Sequence, residues 1–113
     1  MTAKELALEL NGELIGPEGG ENEVTCGYAC DLLSWVMANG RQGCAWVTIQ
    51  THMNVVALAS LHEMACVIFP EGVSPDEAPA KKAAEEGIAL VKSPLTAYEI
   101  CGRMARLGIA SLK

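Results

Sequence analysis

Apolar residues along this chain follow two alternating rhythms: short unbroken runs, and stretches where they recur about once per helical turn. Thr2 precedes Ala3, Leu6, Ala7 and Leu10, the spacing of one helix face, and Asn11-Gly12 closes that segment. Glu13-Leu-Ile15 predicts a short strand. Gly16 to Glu23 is acidic and glycine-rich, and predicts a solvated, mobile loop. Val24 to Tyr28 is the next strand. A helix then follows, with Asp31 as its cap, Leu32, Leu33, Val36 and Met37 inward and Asn39-Gly40 as its stop. Cys44 to Ile49 and Ala65 to Phe69 are continuous apolar runs, as buried strands require. Between them, Asn54 is the expected cap of a helix reaching Glu63. Ser74-Pro75-Asp76-Glu77 has the form of a capping box, but Pro79 predicts a separate first turn and a regular helix from about Pro79 to Glu86. Gly87 ends it, and Ile88 to Val91 is a fourth buried run. Ser93-Pro94, or Thr96 with Glu99, starts a last helix with Ala97, Ile100, Cys101, Met104 and Leu107 inward and Gly108 as its stop.

From Val24 onward the pattern reads strand then helix four times, with short links. That alternation predicts parallel strands joined by right-handed crossovers, hence a layered α/β sheet with helices on both faces. One domain over residues 1–113 is expected, since no linker or repeat interrupts the pattern.

The run Cys44 to Ile49 stops abruptly at Gln50-Thr51-His52-Met53-Asn54. A buried strand that ends in a polar cluster and opens a helix is where open α/β sheets place ligands. With parallel strands, Gln50, Thr51, His52 and Asn54 are expected near Asp31 and Ser34, and near Ser93 and Thr96. The set suits a small polar or phosphorylated ligand, because helices starting at that edge point unpaired amides and positive dipole ends toward it. The bland alternative is that Asp31, Asn54 and Thr96 only cap helices while Gln50 and His52 serve loop amides.

Charge narrows the partners. Fourteen acidic against eight basic residues give a net charge of −6, which repels phosphate backbones and anionic lipid and argues against nucleic acid and membrane. Met1-Thr-Ala-Lys-Glu-Leu lacks the apolar run of a signal peptide, so the expected location is cytoplasmic. Five cysteines at irregular spacings argue against a disulfide framework. Cys44, Cys66 and Cys101 read as small buried hydrophobes. Cys26-x-x-x-Cys30 offers two thiols where a zinc or iron–sulfur site needs four ligands, so no metal site is expected. Trp35 and Met37, with Gly102, predict helix surfaces that a second copy of the chain covers.

Several stretches together resemble the short stand-alone DRTGG-domain proteins over about residues 24–109. They are Asp31-Leu-Leu-Ser-x-Val-Met-Ala-Asn39, Trp46-Val-Thr-Ile-Gln-Thr-His-x-Asn54 and Ala57-x-Ala59-x-Leu61, then Ala83-x-Glu85-Glu-Gly-Ile88 and Ser93-Pro-Leu-Thr-Ala-Tyr-Glu99. The resemblance implies a fold like the N-terminal domain of HPr kinase/phosphorylase and a regulatory role, with links to hydrogenases or central carbon metabolism. The name-giving Thr-Gly-Gly turn appears here as Pro70-Glu71-Gly72. The phosphate-cradling Gly-x-x-x-x-Gly-Lys-Ser/Thr loop of a kinase is nowhere in the sequence. The expectation is a non-catalytic module, dimeric, that binds a ligand or a partner protein. A phosphotransferase-related enzyme and a redox accessory protein using Cys26 and Cys30 are the alternatives. No cofactor is specified.

Overall fold

Four times between Cys26 and Arg106 a short strand is followed by a helix, in a computed structural model that describes all of residues 1–113. In chain order the elements are α1 (Ala3–Glu9), β1 (Glu13–Leu14), β2 (Cys26–Ala29), α2 (Leu33–Asn39), β3 (Cys44–Val47), α3 (Met53–Leu61), β4 (Cys66–Phe69), α4 (Glu77–Glu86), β5 (Ala89–Lys92) and α5 (Ala97–Arg106). The strands form one sheet in the order β1-β5-β4-β3-β2. β2 to β5 are parallel neighbours in sequence order, and β1 alone runs antiparallel, against β5.

That order decides where the helices go. A right-handed crossover between successive neighbours always returns over the same face. Accordingly Val36 of α2, Val55, Val56 and Ala59 of α3 and Ala83 of α4 share one core with Trp46, Val67, Phe69 and Leu90. The opposite face packs Leu6 and Leu10, Ile100 of α5 and Met104 against Ala45, Val47, Ile68 and Val91. Residues alternate between the two cores along each strand because successive side chains leave a pleated strand on opposite faces. Both faces of β3 and β4 are covered, which is why they read as unbroken apolar runs. The layered α/β architecture is therefore as the pattern predicts.

Local signals fared unevenly. Thr2 caps α1 as expected, and reciprocally: its Oγ1 accepts from Glu5 N at 3.2 Å while Glu5 Oε1 accepts from Thr2 N at 2.9 Å. Thr96 Oγ1 accepts from Glu99 N at 3.2 Å at the start of α5. Asp31 and Asn54 are corrected. Leu32 and His52 hold the cap positions of α2 and α3 with no side-chain bond, and Asn54 lies exposed inside the first turn. Asp31 is drawn instead to the end of β3. Ser74 forms no capping box either. α4 starts at Glu77 with Asp76 at its cap position, so Pro79 falls where a helix has no acceptor for an N–H. The first helical bond is made one residue later, from Ala80 N to Asp76 O at 3.2 Å.

Leu32 and Met37, expected inward, are 62% and 56% exposed, because the short α2 buries Val36 alone. On α5, Ala97 and Leu107 are likewise outside while Ile100 and Met104 are buried. Gly40 ends α2, but not through a left-handed turn. It makes room for His62, whose Cδ2 would lie 2.5 Å from an added Cβ.

The loop before β2 is not free. Asn22 Nδ2 donates to Gly87 O at 2.8 Å and Ala65 O at 3.1 Å. Ala3 N and Lys4 N donate to Asn22 O and Gly20 O, both at 2.9 Å. The edge of β2 is also occupied: Gly27 N donates to Ala110 O at 2.8 Å, and Leu112 N donates to Gly27 O at 3.2 Å.

Candidate functional site

Because β2 to β5 run in parallel, their carboxyl ends share one edge of the sheet. A cleft of about 390 Å³ opens there. Its walls are Ala29 to Asp31 after β2, Val47 to Ile49 after β3, Pro70 and Glu71 after β4, and Ala97 at the start of α5.

Asp31 is its fixed point. Thr48, a buried hydroxyl inside an apolar run, donates from Oγ1 to Asp31 Oδ1 at 2.7 Å. Ile49 N donates to the same oxygen at 3.0 Å. Gln50 closes the arrangement: its Nε2 donates to Asp31 O at 3.1 Å, and its N donates to Thr48 Oγ1 at 3.2 Å. Trp46 Nε1 donates to Cys30 O at 2.8 Å, one residue before Asp31. The first link thus hangs from the buried face of β3. Asp31 Oδ2 has no protein partner among these bonds.

Of the predicted site residues, Asp31 and Gln50 come together here, and Thr96 adjoins through Ala97. Ser34 is exposed on α2. Thr51 is half-buried, while His52 and Asn54 sit exposed at the outer start of α3. Ser93 is fully buried, donating to Leu10 O at 2.7 Å and accepting from Leu95 N at 3.2 Å, so it faces α1 rather than the cleft. Thr48 and Glu71 were missed. Thr48's signal was a lone hydroxyl in an apolar run. Glu71 sits at φ 55°, where side chains rarely go, in the Pro70-Glu71-Gly72 turn. The turn is bound to the link before α5, with Glu71 N donating to Leu95 O at 2.7 Å and Gly72 N to Ser93 O at 2.8 Å.

Two other hollows compare with it in size. An apolar groove of about 340 Å³ runs between β2, α5 and residues 109–111. A larger one, about 630 Å³, lies at the amino edge among Glu23, Glu63 and Glu86. Size favours the latter, chemistry does not: Glu23 pairs with the N-terminal ammonium at 2.9 Å and Glu86 with Lys82 at 3.0 Å.

Cys26 stands in register opposite Cys44 on β3 in one core, and the half-buried Cys30 packs against that same core, its thiol 3.7 Å from Leu32 O. Burial, with Cys26 alongside, pushes the Cys44 thiol far above its ordinary range, and burial raises Cys66 to about 12. A raised pKa removes thiolate, the reactive form. In a thiol titration with a disulfide reagent, Cys44 and Cys66 are therefore expected to stay silent until the protein is unfolded. Their prompt reaction in the folded protein would contradict the buried placement. Nowhere do three His, Cys, Asp or Glu side chains converge as a metal site needs. No helix is long and apolar enough to cross a membrane.

No family model and no curated protein matches the sequence. The fold does match. It is similar to the crystal structure of the CBS and DRTGG domains of the regulatory region of Clostridium perfringens pyrophosphatase, complexed with its activator diadenosine tetraphosphate. The TM-score is 0.71 at 9% identity, over 91% of this chain and 45% of that one. The chain thus spans under half of that regulatory region, and the likeness is one of fold.

Proposed function

We propose that this chain is a non-catalytic regulatory module that binds a small polar ligand in the carboxyl-edge cleft. The observation that carries the reading is Asp31, held at the mouth of three strand ends by Thr48 and Ile49 with its second oxygen left over. A fold shared with the regulatory region of a pyrophosphatase supports it. So does the lack of a histidine in the cleft and of a phosphate-cradling loop in the sequence. Kinship with the N-terminal half of HPr kinase, service to hydrogenase or carbon metabolism and a cytoplasmic setting belong to the same proposal, on the sequence resemblance. Screening small metabolites, nucleotides included, by thermal shift tests it. A stabilising compound is expected whose effect disappears in Asp31→Ala, a change that leaves the Thr48 hydroxyl without its acceptor. Phosphate transfer from ATP to HPr by the purified chain, or a compound that stabilises Asp31→Ala as well as the parent, would count against it.

The module is also proposed to pair with itself. Leu32, Trp35, Met37 and Leu61 are more than half exposed, and Trp35 shares its ring with the Lys113 ammonium at 5.8 Å. Tryptophan in such a setting favours an interface. Gly102 gives no internal support, since an added Cβ would meet only the end of Arg106 at 3.5 Å. Light scattering at micromolar concentration is expected to give twice the chain mass, falling toward one chain in Trp35→Glu. A parent protein that scatters as a single chain refutes the pairing.

A further inference from the structure

We propose that the cleft and the apolar groove are one trough, and that it takes an amphiphilic amine: an apolar body along β2 and a cationic head at Asp31 and Glu71. This rests on the cleft being the ligand site. The two hollows adjoin, sharing Ala29 and Val47 as walls. Their common floor is low because β2 turns only Gly27 and Ala29 toward α5. A Cβ on Gly27 would already lie 2.8 Å from Met104 Cε. Above, Cys101 and Ala105 of α5 are small where a longer side chain would close the groove. Hollows of about 390 and 340 Å³ are each within the usual range for small-molecule sites, and their linings are mostly apolar.

Charge settles which end of a ligand goes where. Asp31 keeps one oxygen free, and Glu71 makes no hydrogen bond or ion pair through its carboxylate. No lysine, arginine or histidine lines either hollow. The N-termini of α2, α3 and α5 at this edge oppose them with about half an elementary charge each. Two full carboxylate charges still outweigh the three. The cleft therefore prefers a cation, and the phosphorylated ligand expected from helix dipoles alone fits it poorly.

Two probes that share a phenylethyl body and differ in the charge of the head separate the terms: 2-phenylethylamine and 3-phenylpropanoate, titrated into the whole labelled chain and followed by amide NMR. The amine is expected to shift Gly27, Ala29 and Ile49 together at about tenfold lower concentration than the acid, a difference near 1.4 kcal/mol. Glu71→Gln, an exposed change that spares every backbone bond, should bring the two probes several-fold closer. Ala105→Leu, on the exposed side of α5, should fill the groove and remove the Gly27 and Ala29 shifts. Equal binding of both probes overturns the cation preference while leaving the cleft as a site. Amine shifts at Ile49 that persist unchanged in Ala105→Leu overturn the single trough. Shifts by neither probe at any of the three amides overturn the proposal, and a metabolite from the screen that acts elsewhere overturns the site as well.

Discussion

Trp46→Ala is expected to leave little folded protein at 37 °C. Trp46 is fully buried on β3, between α2, α3 and the neighbouring strands. Truncating a buried tryptophan costs about 3–5 kcal/mol. Its Nε1 also donates to Cys30 O at 2.8 Å, and an orphaned, partly buried carbonyl adds about 1–3 kcal/mol. A domain of this size has roughly 5–15 kcal/mol in total. Trp46→Phe divides the two effects: it keeps most of the ring, loses the bond and should fall by about 1–3 kcal/mol in urea unfolding. Because Cys30 adjoins Asp31, the same variant should weaken any ligand response at the cleft more than its stability loss explains. If Trp46→Phe is as stable and as responsive as the parent, the bond to Cys30 holds nothing in place.

Gly19→Ala should be almost as damaging, although the acidic, glycine-rich stretch around it reads as a solvated loop. Gly19 is at φ 77°, and an added Cβ would lie 2.5 Å from Ala89 N and 2.7 Å from Gly87 O. Both are backbone atoms, so no side chain can swing aside. The left-handed conformation alone costs a residue with a Cβ roughly 1–2 kcal/mol, before that overlap. The loop must lift from β5, taking the Asn22 bonds with it. Hydrogen exchange should then report lost protection at Ala3 and Lys4, whose amides donate into the loop. A mobile loop, as its acidic glycine-rich composition suggested, would tolerate the alanine with neither change.

That contrast shows where the sequence was legible. The two-sided burial of β3 and β4 leaves unbroken apolar runs, and the turn-spaced apolar positions of α1 and α5 mark their buried faces. These are local consequences of local geometry. Polar partners are not local. Asp31 looks like a cap because Asp often is one, but Thr48, seventeen residues on, offers a better bond. Ser93 looks like a helix start and instead serves Leu10, eighty-three residues away. Gln50 was readable as a strand-end residue, and Glu71 was not, since only the folded turn shows which strand ends it stands beside. Strand order was equally hidden, because nothing within a strand records which neighbour it will have.

The sheet order β1-β5-β4-β3-β2 also sets a timetable. The parallel strands can be laid down one beside the next as each crossover is completed, every addition drawing on the segment just made. β1 and α1 have no such neighbour early on: their strand partner is β5, and Leu10 waits for Ser93. Closing so long a loop is entropically slow. The first two dozen residues therefore dock late in synthesis, as does α5, and until both have docked the side of the growing sheet bearing Ala45 and Ile68 is bare. A nascent chain halted before Ala89 should bind chaperones through that face, and release them once β5 and α5 have emerged.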